Sequence, residues 1–235
     1  MSKLTRIYQR ILWRLVGCAP ISMRLGLRCA LLRRSKSFEL EWELLEKLGA
    51  NRGLALDVGA NRGFYSNRLA DLYENVIAFE PNTQISRELS AAKISNVELR
   101  SVALSSHCGS RELFIPFGAN GRELDGWASF DPNNCPTATR SNAIEVDVAA
   151  LDDLSLPSIS FIKVDVEGHE VDFLRGAVKS LQKHGPRVLI EVRESTLEDV
   201  QRLFEEIGYK QLDLAAILGA EPGNEMYLFA PCGTK

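Results

Sequence analysis

Acidic residues that follow apolar runs are the chemistry-bearing feature of this chain. Asp57 follows Leu54-Ala55-Leu56 and precedes Val58-Gly59-Ala60-Asn61-Arg62-Gly63. Glu80 follows Val76-Ile77-Ala78-Phe79 and is itself followed by Pro81 and Asn82. The two runs read as adjacent parallel strands, with the second acid 23 positions after the first. That is close to the roughly 20 residues between the glycine turn and the ribose-binding acid of a nucleoside-binding βα unit. Glycine suits such a turn because it lacks Cβ, tolerates positive φ and lets a ligand approach the main chain. Only Gly59 and Gly63 are present, however, and the carboxylate of Asp57 would repel a pyrophosphate. It would attract a sulfonium and an ammonium. The pattern favours S-adenosylmethionine over NAD, and an ordinary βα turn is the plainer structural alternative.

A second dense stretch is Phe161-Ile162-Lys163-Val164-Asp165-Val166-Glu167-Gly168-His169-Glu170. Alternation along a strand puts Lys163, Asp165 and Glu167 on one side, if the strand runs that far. In an open α/β sheet the ligand crevice lies beyond the carboxyl ends of the strands. If this strand neighbours the one ending at Asp57, Asp165 and Glu167 face the same crevice as Gly59 and Glu80. A lysine, two carboxylates and the imidazole of His169 are groups whose pKa values shift when crowded. A general base could be drawn from them. Surface ion pairs and a helix cap made by Glu167 are the bland reading of the same residues.

The elements that must position these groups alternate between strand and helix, the mark of an α/β fold with a parallel sheet. Strands are expected at 54–58, 75–80, 96–102, 159–165 and 187–192, and helices at 62–73, 82–93, 167–183 and 196–207. A hairpin-like pair is expected at 111–115 and 143–148, a helical turn at 151–154, and two last strands at 209–214 and 225–230. Between the hairpin strands lies a loop, 118–142, longer than the roughly 12–15 residues that connections rarely exceed. It carries Trp127, Ser129 and Phe130 close to Asn120 and Asp125. Exposed aromatics in a mobile loop are best explained by closure over a ligand, so the loop is expected to form a substrate lid.

Charge divides the chain unevenly. Residues 1–38 hold nine of the 28 basic residues and none of the 31 acids, although the net charge is only −3. The acidic remainder argues against nucleic acid as a partner. Leu4, Ile7, Tyr8, Ile11, Leu12, Leu15 and Val16 recur at helical spacing with Arg6, Arg10 and Arg14 on another face. A second basic segment follows at 21–34, and 38–49 reads as a third helix. This N-terminal part, 1–49, is set apart from a catalytic domain at 50–235. Its basic side, through residues 1–36, suits peripheral contact with an anionic membrane; packing on the acidic body is the plainer alternative. No apolar run approaches the ~20 residues of a membrane span, and Arg10 and Arg14 interrupt what a signal peptide would need. The five cysteines, Cys18, Cys29, Cys108, Cys135 and Cys232, have no metal-site spacing. Free thiols in a cytoplasmic, reducing compartment are expected, with the inner membrane surface as the place of any peripheral contact. No metal is assigned.

Asp57-Val-Gly-Ala-Asn61, Phe79-Glu80-Pro81-Asn82, Ile162 to Glu170, Leu174-Arg175-Gly176-Ala177 and Leu189-Ile190-Glu191-Val192 occur in this order. Together they resemble the FkbM-type methyltransferases over residues 50–230. The resemblance implies a Rossmann-like class I methyltransferase: a seven-stranded, mostly parallel sheet, its last strand antiparallel, with helices on both faces. It implies S-adenosylmethionine as methyl donor and a hydroxyl oxygen as the usual acceptor. Position by position, Asp57, Gly59, Asn61 and Gly63 would form the turn at the methionine end. Glu80 would accept hydrogen bonds from the ribose hydroxyls, next to Pro81. Asn82 would lie at the adenine edge, and Ala103 and Leu104 against the adenine ring. Asp165, Glu167 and His169 would face the methyl group and the acceptor, and Glu191 would border the same pocket. The N-terminal basic helices fall outside the resemblance.

Methyl transfer needs an acceptor aligned within ~3–3.5 Å of the methyl group and a site cleared of water. An alcohol must also lose its proton, for which Asp165 and His169 are equal candidates. The expected acceptor is a sugar or another small hydroxylated, glycan-like metabolite. Two other classes compete: an NAD-dependent sugar-nucleotide enzyme, and a non-catalytic membrane-associated module that keeps the fold.

Overall fold

The computed structural model describes residues 12–35, 39–49, 52–135, 137–223 and 225–233. Most of the expected N-terminal helix lies outside them; Leu12–Val16 is its described helical part. Ten strands follow: β1 (Leu54–Val58), β2 (Asn75–Phe79), β3 (Val97–Arg100), β4 (Ala103–Leu104), β5 (Gly109–Phe117), β6 (Arg140–Ala149), β7 (Ile159–Val164), β8 (Arg187–Glu191), β9 (Tyr209–Leu212) and β10 (Met226–Pro231). The helices that matter here are α1 (Ile21–Ser35), α2 (Leu40–Glu43), α3 (Phe64–Ala70), α4 (Arg87–Ala92), α5 (Glu170–Arg175), α6 (Val178–His184), α7 (Leu197–Glu206) and α8 (Leu214–Leu218).

Seven strands form one sheet in the order β3-β2-β1-β7-β8-β10-β9. All are parallel except β10, which runs antiparallel to both neighbours. The chain steps outward from β1 to β3, then returns to place β7 on the other side of β1. The order therefore reverses between β1 and β7, where such sheets leave a crevice above the strand ends. The expected hairpin is present but longer, and it belongs to a separate three-stranded sheet in the order β4-β6-β5. The strand expected at 96–102 is split accordingly: β3 stays in the large sheet and β4 pairs with β6.

Every residue of β1 is buried, because both faces of the sheet are covered. Leu56, Val58, Ile162 and Val164 pack with Phe173, Leu181 and Phe204 from α5, α6 and α7. Ala55, Phe161 and Leu189 pack on the opposite face with Leu25 of α1, Trp42 of α2 and Tyr65 and Leu69 of α3. The N-terminal segment thus supplies core: Leu25 and Trp42 are wholly buried, and the Trp42 indole donates to the Phe64 carbonyl at 2.8 Å. Its charge is partly met by the body. Arg28 is buried and pairs with Glu88 of α4 at 2.9 Å, and Arg33 pairs with Asp71.

Several helices are shorter than their sequence pattern suggests, for local reasons. Asn61 and Gly63 have φ of 50° and 89°, so the helix expected from 62 starts only at Phe64. Asn82 turns its carbonyl side chain onto the Gln84 amide at 3.1 Å, delaying the helix expected from 82 until Arg87. The helix expected over 167–183 begins at Glu170 and breaks at Gly176, where a Cβ would lie 2.0 Å from the Ser105 carbonyl oxygen. The third N-terminal helix shrinks to α2 and a 3-10 turn, Leu45–Lys47. Helix α8 was not expected; Asp213 caps it by accepting from the Ala216 amide at 2.9 Å.

Candidate functional site

Beyond the ends of β1, β2 and β7 lies a cleft with about 730 Å³ of unfilled space, partly open to solvent. The turn after β1 forms its floor. Gly59 has φ of 80°, and a Cβ on it would meet the Asp165 carbonyl oxygen at 1.7 Å. Only glycine allows the β1 and β7 turns to touch in this way. The Phe79 carbonyl accepts from the amides of both Gly59 and Ala60 at 3.0 Å, locking the turn to β2.

Glu80 joins the two neighbouring turns. One carboxylate oxygen accepts from the Asn61 amide and the other from the Asn82 amide, each at 2.8 Å. Glu80 is 8% exposed. Burial pushes its pKa up to about 7, although the two amides pull it down and the charges of Asp57 and Asp165 add to the rise. Each oxygen keeps a lone pair for a further donor. Phe79, Ile85, Ala103 and Leu104 supply an apolar wall beside it.

Asp165, Glu167 and His169 line the other side. Strand β7 ends at Val164, so these three are held by a turn in which Glu167 and Gly168 have φ of 50° and 94°. The Asp165 amide donates to the Val58 carbonyl at 2.9 Å, while its side chain is more than a third exposed. His169 has both ring nitrogens near partners, Nε2 at 2.9 Å from Ser105 Oγ and Nδ1 at 3.5 Å from Asp172. Burial lowers its pKa to about 4, against the opposing pull of Asp172. The ring is neutral at physiological pH. Burial, then the charge of Asp165, raises Glu167 to about 7 despite Arg193 Nη2 at 3.0 Å.

From the segment after β5, Gly126, Ala128, Ser129 and Phe130 line this side of the cleft. The segment is more ordered than a free loop: Ser129 exchanges backbone hydrogen bonds with Phe114 of β5 at 2.8 and 3.1 Å. Its hydroxyl donates to the Glu167 carbonyl at 2.7 Å. Phe130 packs edge-on against His169, with ring centroids 4.7 Å apart.

The cleft therefore gathers Gly59, Asn61, Glu80, Pro81, Asn82, Ala103, Leu104, Ser129, Phe130, Asp165, Glu167 and His169. Five expected residues do not line it: Asp57, Lys163, Gly63, Trp127 and Glu191. Asp57 and Lys163 are paired neighbours in the β1–β7 register and share the parity of Ala55 and Phe161. Both therefore point into the layer beneath, not over the strand ends. Asp57 accepts from the Ser66 hydroxyl of α3, and burial raises its pKa to about 6. Lys163 is wholly buried; it donates to the Val164 carbonyl at 3.1 Å and lies over the Tyr65 ring at 4.9 Å. Lys163 still reaches Asp165, its Nζ 3.9 Å from the carboxylate, but the strand ends at Val164, so its alternation does not carry on to Glu167. Gly63 caps α3 and packs on Leu89. Trp127 and Glu191 border an adjoining cleft, together with Arg193 and Asn134. Arg193, Asn134, Ser66 and Ser105 were not foreseen. Arg193 alone carried a signal, two positions after Glu191 on an alternating strand end. Among the described residues, no group of three or more His, Cys, Asp or Glu side chains could hold a metal ion.

A sheet reversal at β1–β7, an acid bridging two turns and an antiparallel β10 define the class I methyltransferase architecture. The family model described as the methyltransferase FkbM domain matches residues 57–210, and the chain belongs to that family. Its members are S-adenosylmethionine-dependent methyltransferases, so the nicotinamide reading loses its support. A methyltransferase FkbM from Methylobacillus flagellatus has the same fold, with TM-score 0.53 and 15% identity over 95% of this chain. This chain spans 59% of that protein's length. A TehB-like S-adenosylmethionine-dependent methyltransferase from Corynebacterium glutamicum also matches (TM-score 0.46, 14% identity, covering 89% of this chain and 95% of that one). So does TYW2 of M. jannaschii in complex with AdoMet (TM-score 0.42, 14% identity, 81% and 71%). No curated protein sequence matches the chain. Among the described residues, no helix is long and apolar enough to cross a membrane.

Proposed function

We propose that this chain moves the methyl group of S-adenosylmethionine onto a hydroxyl oxygen of a sugar or another small hydroxylated metabolite. The observation that carries the reading is Glu80: a buried carboxylate, fixed by two backbone amides, with lone pairs turned to a cleft that has an apolar wall on one side and Asp165 on the other. These residues fit a nucleoside with a vicinal diol and a flat base. Bound there, S-adenosylmethionine supplies a methyl group already activated by its sulfonium. Glu80 accepts from the ribose hydroxyls, Asn82 meets the adenine edge, and Ala103 and Leu104 face the ring. Ser129 and Phe130 exclude water, which strengthens the electrostatics inside.

Asp165 is the better base. Its side chain is open to the cleft, with Lys163 Nζ at 3.9 Å. His169 has both ring nitrogens near partners, Nε2 at Ser105 Oγ and Nδ1 at Asp172, which leaves neither free for the acceptor. The hydroxyl proton would go to Asp165 as the carbon–oxygen bond forms and the methyl–sulfur bond breaks, leaving S-adenosylhomocysteine. The test uses methyl-labelled donor and a panel of sugars and polyols. Label in an alkali-stable ether is expected; failure to bind S-adenosylhomocysteine refutes the reading.

We place the enzyme in the cytoplasm, touching an anionic membrane through its N-terminal part. Helix α1 exposes Met23 and Leu27 opposite its buried Leu25 and Cys29, and Trp13 and Leu15 are exposed nearby. Arg14 and Arg34 are exposed beside them. We keep residues 1–49 as an appendage to a catalytic domain at 50–235, one that contributes core through α1 and α2. Pelleting with phosphatidylglycerol vesicles but not with phosphatidylcholine vesicles is expected; equal behaviour with both refutes the membrane contact.

A further inference from the structure

A second cleft opens from the first, sharing Asp165 and Glu167 with it. Trp127, Asn134, Glu170, Glu191 and Arg193 wall it, with Glu194 and Glu225 at its edge. Six acidic residues and one arginine thus line it, and Lys163 reaches Asp165 from beneath at 3.9 Å. The guanidinium is already engaged: Arg193 Nη2 lies 3.0 Å from Glu167, and Nη1 donates to the Asn134 side-chain carbonyl. Crowding of like charge in a partly desolvated space is costly unless a cation enters. The strain is visible at Glu191, whose pKa rises to about 8 through burial and then through Asp165.

Two polar atoms in this cleft lack partners. Glu170 is 2% exposed; one of its oxygens accepts from the Gly168 amide at 2.7 Å, and the other, Oε2, has no partner among the described residues. Asn134 is 7% exposed, and its amide nitrogen is likewise unpartnered. A buried acceptor and a buried donor without partners call for a ligand that offers both. Trp127 stands at the mouth, 44% exposed, with the Arg193 guanidinium 5.9 Å from its ring. Indole faces attract cations in this way.

We propose that this second cleft is the acceptor site and selects a small hydroxylated amine, its ammonium held among Glu170, Glu191 and Glu167 and its hydroxyl presented to Asp165. The inference rests on the methyl-transfer reading above. It places the methyl-accepting oxygen at the junction of the two clefts, on the same carboxylate that takes its proton. The same charge turns away phosphorylated sugars and nucleotide sugars.

Calorimetry on the full chain saturated with S-adenosylhomocysteine tests this, with glucosamine, glucose and glucose 6-phosphate as probes at neutral pH. Glucosamine should bind roughly tenfold or more tightly than glucose, as a charge-assisted hydrogen bond outlasts a neutral one. Glucose 6-phosphate should give no binding heat. Glu170→Gln and Glu191→Gln should each abolish the preference for glucosamine while the thermal melt stays cooperative. Equal affinity for glucose, tighter binding of the phosphate, or no binding of any probe to about 20 mM overturns the proposal. If S-adenosylhomocysteine itself fails to bind, the methyl-transfer reading falls as well. If it binds and the preference is missing, only the acceptor assignment falls.

Discussion

Replacing Glu80 by alanine separates two jobs of one carboxylate. In the free protein it satisfies the Asn61 and Asn82 amides, both at 2.8 Å, from a nearly buried position. Alanine leaves these two N–H groups without acceptors in a space that water refills in part. At about 1–3 kcal/mol for each buried group left unpaired, before that relief, stability should fall by about 2–4 kcal/mol. In the complex proposed above, the same carboxylate would receive the ribose hydroxyls. Losing that contact should weaken S-adenosylhomocysteine by about 1–3 kcal/mol, or roughly 5–150-fold in Kd. Thermal melts report the first loss and calorimetry the second, so a variant that folds but binds poorly can be told from one that has come apart.

The pH dependence supplies an independent check. Glu80 has its pKa pushed up to about 7, so below that value the proton competes with the ribose hydroxyls for the carboxylate. Wild-type affinity should therefore rise between about pH 6 and pH 8, by at most about tenfold per unit. Asp57 and Glu167, at about 6 and 7, titrate over the same range. The decisive quantity is accordingly the difference between wild type and Glu80→Ala. A folded Glu80→Ala protein with unchanged Kd and an unchanged pH profile would refute the ribose assignment outright.

Other outcomes follow from the same geometry. Gly59→Ala should lower stability by at least about 2 kcal/mol, since its Cβ would meet a backbone oxygen at 1.7 Å and its φ is 80°; an unchanged melting temperature would show that the β1 and β7 turns do not touch. Asp165→Asn should cut turnover by about 10²–10⁴-fold with S-adenosylhomocysteine binding retained, and full turnover would move the base elsewhere. Without ligand, the protein should lose stability as pH rises from about 5 to about 8. Asp57, Glu80, Glu167 and Glu191 have folded pKa values of about 6, 7, 7 and 8, above the roughly 4 of unfolded acids. Their contribution is complete below that unfolded value and lost as pH passes each folded one. His169, lowered to about 4, works the other way and loses its contribution as pH falls below about 6.5. A melting temperature that climbs over this range would contradict the burial of those four acids. Arg28→Ala strands Glu88 in a buried pair and should cost about 3–5 kcal/mol; a change under ~1 kcal/mol would mean that α1 does not dock on α4.

What the sequence made legible was spacing along the chain, and what it hid was depth. The glycine turn, the acid after β2 and the acid after β7 are one-dimensional signals, because each lies directly past a run of apolar residues that must be a buried strand. The parallel sheet followed from the same alternation, and the antiparallel last strand from the family resemblance alone. Lys163 and Asp57 show where such reasoning stops. A strand buried on both faces has no polar side to mark its parity, so nothing in the chain says which layer an ionisable residue enters. The register does: Asp57 lies beside Lys163, and both face the layer of α3. The Lys163 charge pulls the Asp57 pKa down against the larger effect of burial, and Lys163 also reaches within 3.9 Å of Asp165. The helix breaks were hidden for a related reason. Gly176 sits inside a sequence that reads as continuous helix, and only the approach of Ser105 from 71 positions earlier requires the break. Partners of that kind, Ser66 for Asp57, Ser105 for His169 and Arg193 for Glu167, come from other elements and have no fixed spacing. The residues that line the cleft could be named because the strand ends place them. The residues that set their protonation could not, because the packing of separate layers places those.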